Sequence, residues 1–307
     1  MAAAVLIAID WGTTSARASL VDADGRITGT RSAPLGVQQV RPGEFPQALD
    51  ALLGDWRTLD LPRFAAGMIG SRQGWVEAAY VECPVALDAL AGNLAWTAGR
   101  ELAIVPGVIA RDAAGVPDVM RGEETQLAGA TLGTETYVAV LPGTHSKWAR
   151  IEGGRLVGFQ THMTGELYAL LLAHSILGRL ASAAAPTAQP GASFGGGVEH
   201  GLRGGGLGHA AFSARTLALT GTLAAADVPD WLSGVLIGHE IAAARQWAEA
   251  QGTSAGRVRI IGTDVLVARY AAALAQAGID AEAGPADAAV RGLVQIARRA
   301  GALANTR

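Results

Sequence analysis

Two short segments of the chain carry the residues best suited to hold a phosphate. Residues 9–15 read Ile-Asp-Trp-Gly-Thr-Thr-Ser, and residues 141–147 read Leu-Pro-Gly-Thr-His-Ser-Lys. A glycine lets a ligand approach the backbone, and the hydroxyl side chains after it add O–H donors to the N–H groups of the turn. In the first segment these are Gly12, Thr13, Thr14 and Ser15; in the second they are Gly143, Thr144, His145 and Ser146, with Lys147 placed to pair with a phosphate. Asp10 stands directly before the first loop, where one carboxylate can orient a hydrated magnesium ion. An ordinary polar hairpin turn explains either loop alone. The second copy, with its lysine, favours a phosphate site.

The elements that must position these loops repeat as well. Each loop follows an apolar run (Val5 to Ile9; Tyr137 to Leu141) and precedes an alternating stretch and a second glycine turn, at Asp24-Gly25 and Gly153-Gly154. Strand, turn, strand, turn and strand make a meander, and two meanders imply two related half-molecules with a nucleotide held in a cleft between them. Helical spacing covers 44–58, 87–98 and 213–250, and a helix opens at Gly122 with Glu123 and Glu124 in its first turn, over 121–132. Ala65 to Ile69 is a strand that runs into the polar Gly70-Ser71-Arg72-Gln73-Gly74-Trp75, and polar groups at a strand end face a cleft. Leu102 to Ile109 is a strand interrupted by Pro106-Gly107, and a long helix runs from Thr164-Gly165-Glu166 to Leu180. The Ala-, Pro- and Gly-rich stretch 182–210 reads as a mobile surface loop. Val258 to Ile261 is a strand, and helices follow over Val265–Ala277 and Ala286–Ala300.

Composition narrows the class. At 307 residues, half of them hydrophobic and 17% charged, the chain can build two ordinary domains, and its composition argues against global disorder. A net charge of −3 gives no electrostatic reason for nucleic acid or an anionic membrane as partner. The single Cys83 fits a reducing cytoplasm, and no apolar run has the length to span a bilayer. His162, His174, His200, His209 and His239 lack the spacing of a metal site.

Taken jointly, Asp10 to Ser15, Gly67 to Trp75, Arg121 to Gln126, Leu141 to Trp148, Met163 to Tyr168 and Leu232 to Glu240 resemble the 2-dehydro-3-deoxygalactonokinase family over nearly the whole chain. That family belongs to the superfamily of sugar kinases, actin and the 70-kilodalton heat-shock chaperones. The resemblance implies an α/β fold of two ribonuclease-H-like domains around a nucleotide cleft. The expected organisation is an N-terminal substrate-side domain over 1–120, a connecting helix over 121–135, a nucleotide-side domain over 136–285 and a C-terminal connecting helix over 286–307. It further implies ATP and Mg²⁺ as cofactors and phosphorylation of 2-dehydro-3-deoxy-D-galactonate at its 6-hydroxyl. The alternatives are a kinase of the same fold for another sugar or sugar acid, and a non-catalytic nucleotide-dependent switch. A homodimer is compatible with the sequence.

By the same resemblance Asp10 to Ser15 match the first phosphate motif, Gly143 to Lys147 the second, and Gly262-Thr263 the adenosine motif. Related carbohydrate kinases place a general base, Asp followed by Gln, at the start of the helix before the second loop. Here that place holds Glu123 and Glu124, in that order of preference, and Glu166, which follows the second meander closely, is the third candidate for the base and a residue of the substrate side. A sugar acid calls for a bidentate arginine. Arg72 is the first choice, ahead of Arg17 and Arg121, with Ser71, Gln73 and Trp75 beside it to meet hydroxyls and the sugar face.

Overall fold

The computed structural model describes residues 3–181, 189–252 and 257–303. The chain divides into two compact units, one of residues 1–136, 151–158 and 287–307, the other of 137–150 and 159–286.

In the first unit the apolar run before the Gly-Thr loop is strand β1 (Ala4–Trp11), and β2 (Ala16–Asp22) and β3 (Ile27–Ala33) complete the meander. β4 (Arg63–Ala66) and the short β5 (Ala103–Ile104) then run parallel to β1, giving the order β3-β2-β1-β4-β5, with Ala95–Trp96 at the far edge. Helix α1 (Phe45–Leu53) buries Phe45, Leu49, Leu52 and Leu53 at helical spacing against Ile7, Ile9 and Trp11. Each such fully buried side chain stabilises the unit by roughly 1.5–3 kcal/mol. A smaller sheet joins Tyr80–Glu82, Gly107–Arg111 and Pro117–Met120. Helix α2 (Glu123–Ala130) opens at Gly122 as expected.

The second unit repeats the plan. β6 (Tyr137–Leu141), β7 (Ser146–Glu152) and β8 (Arg155–His162) form the second meander, and β9 (Arg257–Ile260) and β10 (Asp280–Ala283) lie parallel beside β6, in the order β8-β7-β6-β9-β10. The tip of the β7–β8 turn, 151–158, groups with the first unit. The same strand order in both units is the ribonuclease-H-like duplication that the two loops imply.

Helices α3 (Thr164–His174), α4 (Ala192–Leu202), α5 (Leu207–Leu219), α6 (Val228–Ala250) and α7 (Asp264–Gln276) complete the second unit. α3 is shorter than expected. Ser175 Oγ donates to the Leu171 carbonyl and accepts the Leu177 N–H, and this local capping stops the helix. α8 (Ala288–Arg299) returns to the first unit and crosses α2 at glycines: a Cβ on Gly129 would lie 2.0 Å from the Ala288 carbonyl oxygen.

Two further expectations fail. Residues 192–202 are not a surface loop, because Gly195-Gly196-Gly197 lie inside α4, and 207–210 open α5; only 203–206, with Gly204-Gly205-Gly206, form an exposed turn, and residues 182–188 lie outside the described residues. Gly197 and Gly201 of α4 face Gly234 and Gly238 of α6, and a Cβ on any of them would fall 2.2–2.4 Å from a carbonyl oxygen of the opposite helix. The glycines permit backbone contact between two buried helices, which outweighs their low helix propensity. Residues 87–98 hold 3-10 turns over Leu87–Asn93 instead of an α-helix, because Ala95–Trp96 is drawn into the sheet against β5. No helix among the described residues is long and apolar enough to cross a membrane.

Candidate active site

The first Gly-Thr loop joins the end of β1 to β2. It is held from behind: Gly12 N–H donates to the Ser15 carbonyl (2.9 Å), while the Gly12 and Thr13 carbonyls accept from Val37 and Gln38 (3.1 and 3.2 Å). Trp11 Nε1 donates to the Leu35 carbonyl at 2.6 Å. A side chain at Gly36 would strike Thr13 and Thr14 backbone atoms at 2.3 Å, so the loop rests directly on this support. Its carbonyls are thereby engaged, and the N–H groups of Thr13, Thr14 and Ser15 have no partner among the described residues. Such a turn is an anion-binding concavity.

Asp10, last but one in β1, is reached by solvent, yet desolvation by the surrounding protein raises its carboxyl pKa, with Arg17, its cross-strand neighbour, acting in the opposite sense. Beside it, at the end of β4, Gly67 adopts φ +97°, and a Cβ there would lie 2.7 Å from the Trp11 carbonyl oxygen and 3.6 Å from Asp10 Oδ1. On its other side, a Cβ on Gly122 would meet Gly67 Cα at 3.2 Å. These close approaches bring the ends of β1 and β4 to the start of α2. Asp10, the Gly70–Trp75 loop and the Glu123-Glu124 pair therefore belong to one neighbourhood.

The two glutamates differ sharply. Glu124 is fully buried; its carboxylate accepts from the Gly122 N–H (2.7 Å) and from Thr125 Oγ1 (2.9 Å). Burial, reinforced by the charge of Glu123, pushes its pKa up from 4.5 to about 7, against the opposing pull of the Thr125 and Gly122 hydrogen bonds. Glu123 is half-buried and accepts the Arg121 N–H at 3.0 Å, so a substrate can reach it. Both acids also satisfy N–H groups at the helix start, the structural role that such residues commonly play.

In the loop after β4, the Arg72 side chain is 88% exposed and only 3.7 Å from Glu77. Gln73 is exposed. The Ser71 hydroxyl is buried with no hydrogen-bond partner among the described residues. Trp75 stacks on Phe45 at the rim of the core (6.3 Å between ring centroids), which serves packing. Arg121 lies over the Tyr80 ring and donates to the Ala78 carbonyl, a structural setting.

In the second unit the corresponding loop joins β6 to β7, and its Gly143, Thr144 and His145 N–H groups likewise have no partner among the described residues. The first turn of α3 sits on it. A Cβ on Gly165 would lie 2.4 Å from the Gly143 carbonyl oxygen, the Glu166 N–H donates to the Thr144 carbonyl (3.0 Å), and the Glu166 carboxylate meets His145 Nε2 at 2.5 Å. Glu166 thus braces the loop. Lys147 is 6% exposed, and its side chain has no ion pair or hydrogen bond among the described residues. Ser146 turns inward, with no exposed surface, and donates to Glu240.

Gly262-Thr263, the pair expected to match the adenosine motif, follows β9 at the same sheet end, exposed, with Gly262 against Pro142. Loops at the carboxyl ends of adjacent parallel strands are the usual ligand-binding edge of such a sheet. Beside them lies an apolar cavity of about 230 Å³, lined by Gly143, Tyr168, Val265, Leu266, Arg269 and Tyr270 among others.

Sequence reasoning left Glu240 and the glycines that bring these segments together without a role. Glu240 had a signal: a lone carboxylate in the apolar run Val235-Leu236-Ile237-Gly238-His239-Glu240-Ile241.

The sequence profile of 2-keto-3-deoxy-galactonokinase matches residues 10–296. The chain belongs to that family. Within it, the chain is 39% identical to a probable 2-dehydro-3-deoxygalactonokinase of Rhizobium meliloti (95% of this chain, 96% of the relative). It is 35% identical to the 2-dehydro-3-deoxygalactonokinase of Escherichia coli (92% and 94%). A solved Sinorhizobium meliloti protein assigned to the same activity superposes with a TM-score of 0.86 at 38% identity, covering 95% of this chain and 98% of that one. Outside the family, a carbohydrate kinase from Novosphingobium aromaticivorans shares the fold at a TM-score of 0.50 and 12% identity, over all of this chain and 93% of its own. The family's kinases and this fold agree with the actin-like ATPase architecture, two ribonuclease-H-like domains, and with a sugar-acid kinase.

Proposed function

We propose that the chain transfers the γ-phosphoryl group of ATP to the 6-hydroxyl of 2-dehydro-3-deoxy-D-galactonate, giving 2-dehydro-3-deoxy-6-phosphogalactonate and ADP. The observation that carries this reading is the twin loop: at the same place in two like sheets, a Gly-Thr turn leaves three successive N–H groups, of Thr13 to Ser15 and of Gly143 to His145, without a partner among the described residues. The names of the curated relatives supply the substrate.

In this reading the N–H groups of Gly143, Thr144 and His145, the Lys147 ammonium and the first loop bind phosphate oxygens. Gly262-Thr263 and the apolar cavity take the nucleoside. A magnesium ion would neutralise phosphate charge, and Asp10 suits it: Mg²⁺ takes one or two carboxylates and fills its shell with water and phosphate, and Asp10 is a solvent-reached carboxylate beside a phosphate loop. Glu123 accepts the proton of the 6-hydroxyl as that oxygen forms its bond to the γ-phosphorus and the bond to ADP breaks. Ser71, Arg72 and Gln73 hold the sugar acid, with Arg72 on its carboxylate. The orphan Ser71 hydroxyl supports this, because a buried polar group without a partner is costly until something pairs with it.

Arg72 tests the substrate side. Its contact with Glu77 is long and exposed, so losing it costs the fold little. Arg72→Ala is expected to raise KM for the sugar acid about tenfold or more, the value of one charge-assisted pair, and to leave KM for ATP within about twofold. A coupled ADP-release assay measures both constants. Equal movement of the two, or of neither, would reject Arg72 as the carboxylate partner.

A further inference from the structure

Glu240 lies in the middle of α6 with 2% of its surface exposed, and it takes no part in the chemistry described above. Four donors from three elements of the second unit converge on its carboxylate. Ser146 Oγ, at the end of the second Gly-Thr loop, and Trp148 Nε1 of β7 donate to Oε1 at 2.7 and 2.6 Å. Tyr270 OH of α7 donates to Oε2 at 2.7 Å, and Thr164 Oγ1, the first residue of α3, donates to the same oxygen. Burial, and then the charge of Glu240, pushes the Tyr270 phenol well above its ordinary range, so it remains a donor. No cation pairs with Glu240 among the described residues; neutral donors alone hold it. A buried carboxylate is expensive unless its bonds are complete, and a complete network fixes one arrangement of the segments that supply it.

Those segments are the ones the nucleotide reading needs. Ser146 ends the loop, Thr164 starts the turn whose Gly165 and Glu166 brace that loop from outside, and α7 begins directly after Gly262-Thr263. The glycine contacts between α4 and α6 hold the helix that bears Glu240. We propose that Glu240 is a positioning residue that sets the second Gly-Thr loop, the start of α3 and α7 in the arrangement that binds ATP. The proposal rests on the nucleotide-binding reading of that loop.

The test is ATP binding by titration calorimetry, which needs no sugar acid, alongside steady-state kinetics. In Glu240→Gln the indole N–H, which can only donate, keeps the amide oxygen, and the Thr164 and Tyr270 hydroxyls can turn to accept from the amide nitrogen. The variant therefore keeps its shape and loses the charge that strengthens all four bonds. The expected result is an ATP Kd about tenfold weaker at a temperature well below the melting point, with KM for the sugar acid within twofold of wild type. Trp148→Phe, which deletes one donor, is expected to weaken ATP a few-fold and serves if Glu240→Gln does not fold. A lower melting temperature with unchanged ATP affinity in the folded variant would overturn the proposal, as would equal loss for both substrates. Wild-type protein that binds no ATP would overturn the nucleotide reading itself. Wild-type protein that binds ATP but does not phosphorylate the acid would overturn only the proposed reaction.

Discussion

Asp10→Asn is expected to abolish turnover and leave the fold as stable as before, or more so. Both parts follow from one feature. The surrounding protein desolvates the Asp10 carboxylate and raises its pKa, so the folded state favours the neutral form more than the unfolded chain does. A carboxyl raised in this way works against stability once the pH exceeds its unfolded value, and that penalty is present at pH 7. An amide of the same shape removes the penalty, so the melting temperature holds or rises. The charge that suits Asp10 to magnesium beside the phosphates disappears with it. Loss of one such electrostatic group costs kcat on the order of 10²–10³-fold or more. A melting curve and a coupled assay on one preparation check both parts. Near-normal activity would remove Asp10 from the site, and a collapsed melting temperature would make it a structural residue.

Glu123→Gln is expected to lower kcat by about 10²–10⁴-fold at every pH, the usual worth of a general base. Its neighbour should behave differently. Because Glu124 is sealed and both its oxygens are engaged, it meets no substrate, and Glu124→Gln should keep most of the rate. Glu124 instead shapes the pH profile. Its pKa of about 7 means that it gains its charge across neutrality, so the field beside Glu123 turns more negative over that range. The wild-type rate should rise between about pH 6 and 8, and Glu124→Gln should flatten that rise. Stability runs the other way. With the folded pKa above the unfolded value of 4.5, the folded protein holds the proton more tightly, so stability falls as pH rises from about 4.5 to 7. The total fall is roughly 3 kcal/mol, and Glu124→Gln should remove it. An inactive Glu124→Gln beside an active Glu123→Gln would exchange the two roles.

The loops and meanders were legible in the sequence because strand, glycine turn and strand are local signals, and their repetition at residues 12 and 143 made each support the other. The start of α2 at Gly122 was legible for the same reason, since acidic residues favour a first turn. Failures occurred where distant packing overrode local preference. Glycines at 195–197 signal a loop by composition, and the close backbone contact of Gly197 and Gly201 with α6 accounts for their place in a helix. The spacing of apolar residues in 87–98 suits a helix, but pairing of Ala95–Trp96 with β5 decides the conformation. At the site, residue types named the candidates but not their exposure. The difference between sealed Glu124 and accessible Glu123, and the inward turn of Ser146 toward Glu240, depend on packing between segments far apart in sequence.

The central claim, that this chain is an ATP-dependent sugar-acid kinase, is tested most directly by ADP release from purified protein with ATP and Mg²⁺. The assay offers 2-dehydro-3-deoxygalactonate, its gluconate-derived epimer and neutral hexoses in turn. The expected result is one ADP for each 2-dehydro-3-deoxygalactonate consumed, with the phosphate on the 6-oxygen by mass and phosphorus spectra, and little turnover of the neutral sugars. Phosphorylation of a neutral hexose in preference to either acid would contradict it, as would ATP hydrolysis at a rate that no sugar acid changes.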